Sequence, residues 1–208
     1  MVLPGPDSRF IYAVDLGSDR IFIYRLDSER GKLSPADPPW VTVRPGAGPR
    51  HIAFHPNGRF AYTINELDST VCMLQHDVND GSLVVQQTIS TLPDNLAGST
   101  QSGNNLTSEI QVAPSGRFLY ASNRGHDSIV TYAIDQATGR LSCIGHQSTR
   151  GTGPRHFIVD PSGTFLWAAN QDSDTIIPFR IDPGSGLLND TGKTVHTPTP
   201  VCIQLLAE

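Results

Sequence analysis

Two phrases in this sequence set an arginine beside a histidine: Gly46-Ala47-Gly48-Pro49-Arg50-His51 and Gly151-Thr152-Gly153-Pro154-Arg155-His156. The planar guanidinium of arginine holds a phosphate or carboxylate through two hydrogen bonds, which lysine does less selectively. Histidine donates hydrogen bonds and moves protons near neutral pH. Glu66 follows Asn65, Arg124 follows Asn123, and Asn170 closes a third segment of the same kind. A carboxylate among arginines and apolar walls can serve as a base, and an arginine can stabilise charge developing on a carbonyl oxygen. Brought together, these residues bind an anion and move a proton. The structural alternative is that Arg50 and Glu66 form an ion pair tying a strand start to a neighbouring tip, and that His51 and His156 are packed, hydrogen-bonded imidazoles.

Other chemistries find less support. Gly-x-Ser-x-Gly is absent, so no nucleophile elbow is expected. The glycines near Gly98 and Gly103 lack the spacing of a phosphate loop, and no cofactor is expected. A divalent ion on His51, Glu109 and His156 is chemically conceivable, but no local ligand signature accompanies them and no metal is expected. Cys72, Cys143 and Cys202 are widely spaced, odd in number and without a CxxC, which implies buried, reduced thiols in a cytoplasmic protein. A net charge of −5 without a Lys/Arg cluster argues against a nucleic-acid surface. No apolar run of about 18 residues suggests a membrane span. The opening residues lack a basic segment and an apolar core, so no signal peptide is expected.

The elements that must position these residues come from a repeat. One phrase occurs four times: Pro6-Asp-Ser-Arg-Phe-Ile-Tyr12, Pro56-Asn-Gly-Arg-Phe-Ala-Tyr62, Pro114-Ser-Gly-Arg-Phe-Leu-Tyr120 and Pro161-Ser-Gly-Thr-Phe-Leu-Trp167. Each runs into an apolar segment with a polar tip, then a second alternating run, then a turn and a Gly-x-Leu such as Gly31-Lys-Leu33 or Gly139-Arg-Leu141. Alternation bounded by Gly, Pro, Asn and Asp turns argues strands, and the spacing is that of a propeller blade. The fold expected is all-β, a β-propeller of four-stranded antiparallel blades, about four of them, forming one domain over 1–208. The units run roughly 6–50, 51–105, 106–153 and 154–199. The first unit is expected to lack its first strand, and 200–206 has the character of that strand. The closing strand would complete the ring within the chain or in a homodimer, unless further blades precede Met1.

Antiparallel reversal sorts the loops onto two faces. The starts of the first strands, the tips after the second strands and the 93–105 connection share one face, where that connection could act as a flap. Register places His51, Glu109, His156 and Cys202 along the axis, with Glu66 and Arg124 at the tips beside them.

The motif from Gly48 to Leu67, the run from Ser108 to Gly125 and the run from Gly153 to Phe179 resemble the lactonase-type seven-bladed propellers, which include 6-phosphogluconolactonases and carboxy-muconate lactonising enzymes. The resemblance covers essentially the whole chain. It implies catalytic roles for Arg50, Glu66 and Arg124, with Glu66 as base and the arginines holding substrate and oxyanion. His51, Glu109, Asn123, Arg155, His156 and Asn170 would bind substrate. A family histidine one strand upstream has no counterpart here. The resemblance implies hydrolysis of a sugar lactone, 6-phosphogluconolactone first, by a cytoplasmic enzyme without cofactor. The alternatives are a lactonising or isomerase member acting on a carboxylated lactone, and a non-catalytic scaffold.

Overall fold

A computed structural model of the chain describes residues 1–96 and 104–206. They fold into four antiparallel sheets, each a run of consecutive strands. The first sheet holds β1 (Val2–Pro4), β2 (Phe10–Asp15), β3 (Arg20–Asp27) and β4 (Lys32–Thr42). The second holds β5 (Pro49–Phe54), β6 (Phe60–Asn65), β7 (Thr70–His76) and β8 (Leu83–Ser90). The third holds β9 (Leu106–Val112), β10 (Phe118–Arg124), β11 (Ser128–Ile134) and β12 (Leu141–Ser148). The fourth holds β13 (Pro154–Val159), β14 (Phe165–Asn170) and β15 (Thr175–Ile181), with β16 (Leu188–Asp190) and β17 (Val195–His196) sharing the outer position on β15.

The two repeated phrases explain each other once the sheets stack. Phe60 and Tyr62 alternate on β6 toward the third sheet, where both are fully buried. The Tyr62 hydroxyl donates to the Gly139 carbonyl at 3.0 Å, and a Cβ on Gly139 would lie 2.6 Å from the Phe60 ring. Glycine is therefore required in Gly-x-Leu because the phenylalanine of the preceding sheet sits against it. The same pairing joins Tyr12 to Gly81 and Tyr120 to Gly186, at 2.8 Å in both cases. Three apolar cores fill the spaces between successive sheets, centred on Phe10, Phe60 and Phe118 with their neighbours.

Several expectations need correction. The first unit does not lack its inner strand: β1 pairs with β2, Val2 opposite Ala13 and Pro4 opposite Ile11. Three residues are too few to show alternation, and Pro4-Gly5-Pro6 masks the strand as a turn. Residues 200–206 form no strand, and β1 fills the place the closing strand was expected to take. Of the thiols only Cys72 is buried, whereas Cys143 on the outer strand β12 and Cys202 are exposed. The centre of the expected flap, 97–103, lies outside the described residues. Among the described residues no helix is long and apolar enough to cross a membrane.

Candidate active site

The inner strands begin with a backbone irregularity that decides which side chains meet. In β5 the pairing with β6 shifts between Pro49 and His51, and in β13 the pairing with β14 shifts between Pro154 and His156. Between Thr107 and Ile110 the register of β9 against β10 shifts likewise. Neighbours on a regular strand point to opposite faces, and a bulge re-aims one of them. Arg50 and His51, adjacent in sequence, thus both reach across to the third sheet.

Glycine sets the approach to β5. Gly48 has φ +66°, and a Cβ there would stand 2.7 Å from Leu67 Cγ. Its carbonyl accepts from the Glu66 amide at 2.7 Å, and Ala47 O accepts from Leu67 N at 3.0 Å, so the strand start and the Glu66 tip are tied together. From the first sheet, the Asp19 carboxylate accepts from Gly46 N at 2.7 Å and Gly48 N at 2.9 Å, which holds its pKa below the ordinary value.

Glu66 bridges two guanidiniums. Arg50 Nε lies 3.1 Å from Oε2 and Arg124 Nη2 lies 2.5 Å from Oε1, with each of these side chains 16 to 17% exposed. Arg50 Nη1 donates to Ser108 O at 2.6 Å, and Arg124 Nη2 donates to Thr107 O at 3.1 Å. Burial pulls the Arg50 pKa below its usual value, Glu66 opposes this, and repulsion from Arg124 and Arg155 adds to it. Arg124 Nε is buried with no acceptor among the described residues.

A second carboxylate joins the two histidines. Glu109, 6% exposed, has Oε2 at 3.2 Å from His51 Nδ1 and 3.3 Å from His156 Nε2, while Oε1 accepts from the Ile110 amide. The Ile203 amide donates to His156 Nδ1 at 3.3 Å. Burial holds the His156 pKa below its ordinary value; Glu109 works against this, and His51 and Arg50 reinforce it.

The structure thus brings together Arg50, His51, Glu66, Glu109, Arg124 and His156, with Arg155 close enough to act on Arg50 through charge. It does not bring the side chains of Asn123 or Asn170 into this cluster: both are 0% exposed. Asn123 donates to Thr91 O and accepts from Thr91 Oγ1 and Asn105 Nδ2, and Asn170 donates to Thr149 O. The substrate contacts expected of these two are corrected to a structural role, locking a tip to the exit of the outer strand before it. Cys202 is exposed, and its neighbour Ile203 supplies the contact with His156. Sequence reasoning missed the carbonyls of Thr107 and Ser108 and the Ile203 amide, for backbone groups leave no residue-type signal. Among the described residues no group of three or more His, Cys, Asp or Glu could hold a metal ion.

The comparisons with known proteins agree with this architecture. The family described as Lactonase, 7-bladed beta-propeller, matches residues 1–205. The 6-phosphogluconolactonase of Bacillus subtilis is 38% identical over 205 residues, covering 97% of this chain and 55% of the relative. That of Pectobacterium carotovorum is 40% identical over 155 residues, 74% of this chain and 45% of its own. The solved periplasmic gluconolactonase of Pseudomonas aeruginosa aligns with a TM-score of 0.91 at 36% identity, over 99% of this chain and 56% of that one. The chain spans about half the length of these relatives. Four stacked propeller sheets and a family match over nearly the whole sequence show that this chain belongs to the seven-bladed β-propeller lactonase family.

Proposed function

We propose that this chain hydrolyses a sugar lactone, with 6-phosphogluconolactone as substrate and 6-phosphogluconate as product. The observation that carries the reading is Glu66 held between Arg50 and Arg124. Three arginines against Glu66 and Glu109 leave an excess of positive charge, suited to an anionic substrate. The buried Nε–H of Arg124 adds a donor not yet satisfied, so that guanidinium gains by turning to an anion.

Lactone hydrolysis needs a base for water and positive charge at the carbonyl oxygen. In the arrangement described, both Glu66 oxygens are engaged. A substrate phosphate that draws Arg124 away frees Oε1 to take a proton from water, while Arg50 faces the oxygen on which charge develops. Anion binding and activation of the base are then one event. The similarly named relatives support this choice of lactone.

The test is protein-dependent hydrolysis of 6-phosphogluconolactone above its spontaneous rate. A clear rate is expected, and Glu66→Gln should lower kcat by roughly 10²- to 10⁴-fold, the range typical of losing a general base. A folded chain with no rate above background overturns the reading.

A further inference from the structure

The His51–Glu109–His156 cluster is left without a task by a base and two arginines, yet the hydrogen bonds around it fix its protons closely. The Ile203 amide can only donate, so His156 Nδ1 accepts and its proton sits on Nε2, directed at Glu109. His51 turns Nδ1 toward the same Glu109 oxygen. Arg50 Nη1 lies 3.1 Å from His51 Nε2 and 3.4 Å from Nδ1. Those two nitrogens flank one carbon, so a point that near to both lies over the ring face, not along either lone pair. Nε2 of His51 is therefore the ring nitrogen not committed to Glu109, on a side chain 23% exposed.

Hydrolysis by Glu66 and the arginines leaves one requirement unmet. The departing ring oxygen of a sugar lactone is an alkoxide, a poor leaving group unless it is protonated as the bond breaks. We propose that His51 is the acid that protonates the departing oxygen, and that Glu109 is the positioning residue that orients its ring and stabilises its imidazolium; this rests on the lactone reading above.

The step balances. Water bonds to the carbonyl carbon through its oxygen and gives one proton to Glu66. The bond between that carbon and the ring oxygen breaks, its electron pair passes to the ring oxygen, and His51 Nε2 supplies the proton. Glu66 returns its proton to solvent and His51 regains one, so the net change is the addition of one water. Arg50 on its own strand and Glu109 on β9 contact His51, His156 on β13 interacts with it across Glu109, and Glu66 and Arg124 at the tips and Arg155 on β13 bear on Arg50. His156, kept neutral, donates to Glu109 without competing for its charge.

The experiment uses the full chain and two lactones, 6-phosphogluconolactone and dihydrocoumarin, whose phenolate leaves without help. His51→Gln should lower kcat on the first by roughly 10²-fold or more and on the second by less than about threefold, since only the first needs an acid. It should also abolish the alkaline limb of the kcat profile on 6-phosphogluconolactone, and Glu109→Gln should move that limb to lower pH with KM little changed. Equal losses on both lactones, or an unmoved alkaline limb, overturn the proposal. If the wild-type chain takes only the phosphorylated lactone, the alkaline limb decides alone. If it hydrolyses neither, the lactone reading fails, and nitrogen NMR of the imidazoles decides the Glu109–His51 pairing separately. A single Nδ1-protonated tautomer of His51 that becomes mixed in Glu109→Gln supports the pairing, and no change overturns it.

Discussion

A carboxylate between two guanidiniums and a carboxylate between two imidazoles lie side by side in this protein, and one of the imidazoles, His156, carries a pH signature. The sign is clearest for His156. Burial holds its folded pKa below the ordinary value of 6.5, so its neutral form contributes stability that is present above that value and lost as pH falls through the depressed one. Urea unfolding should show stability declining as pH falls below about 6.5, and His156→Gln should flatten that decline. An unchanged slope in the variant would mean that other groups carry it. At this scale the sequence was informative about residue type: Arg50, His51, Glu66, Glu109, Arg124 and His156 were all nominated and all converge. It was uninformative about Asn123 and Asn170, because an asparagine that bonds a carbonyl inside the protein looks the same in sequence as one that faces a ligand.

Among the elements, the start of β5 carries most of the site. The left-handed Gly48 lets the chain pass Leu67 and deliver Arg50 and His51 through the bulge that follows. Gly48→Ala combines an unfavourable φ with overlap against Leu67, and should cost about 1–3 kcal/mol. It should also cost activity beyond that loss of stability, because the Glu66 amide hydrogen-bonds the Gly48 carbonyl. Melting curves and kcat measured on the same samples separate the two effects, and a stable, fully active Gly48→Ala protein would show that the turn does not set the site. The repeated Gly-x-Gly-Pro-Arg-His was legible as a motif, but the bulges were not. A bulge is a mismatch in length between paired strands, and one strand's sequence does not contain its partner's register.

Across the whole molecule the interfaces between sheets repeat, so their energies should add. Tyr62→Phe leaves the Gly139 carbonyl without its hydroxyl donor and should cost about 1–3 kcal/mol, as should Tyr120→Phe at Gly186. The two lie in different interfaces, so the double variant should lose the sum to within about 0.5 kcal/mol in equilibrium unfolding. A markedly smaller sum would mean that the sheets unfold in separate steps. The end sheets carry the same parts unmatched among the described residues. No side chain stands where a Cβ on Gly31 would point, and Phe165 is only partly buried, though their equivalents in the middle sheets pack tightly.

The repeat, the strands within it and the division of the loops onto two faces were determined by the sequence alone, because alternation and turn residues act locally and recur four times. The identity of the acidic, basic and imidazole side chains on the active face was equally plain. Tertiary structure decided the rest. The first inner strand is three residues of β1, held by pairing with β2 and not by any pattern of its own. Residues 200–206 make no strand, but Ile203 among them reaches His156 through its amide. Glu66 meets both arginines, and Glu109 both histidines, only because the bulged inner strands and the neighbouring tips of separate sheets approach one another. Such contacts join residues far apart in the chain, and neither composition nor spacing records the stacking that brings them within hydrogen-bonding distance.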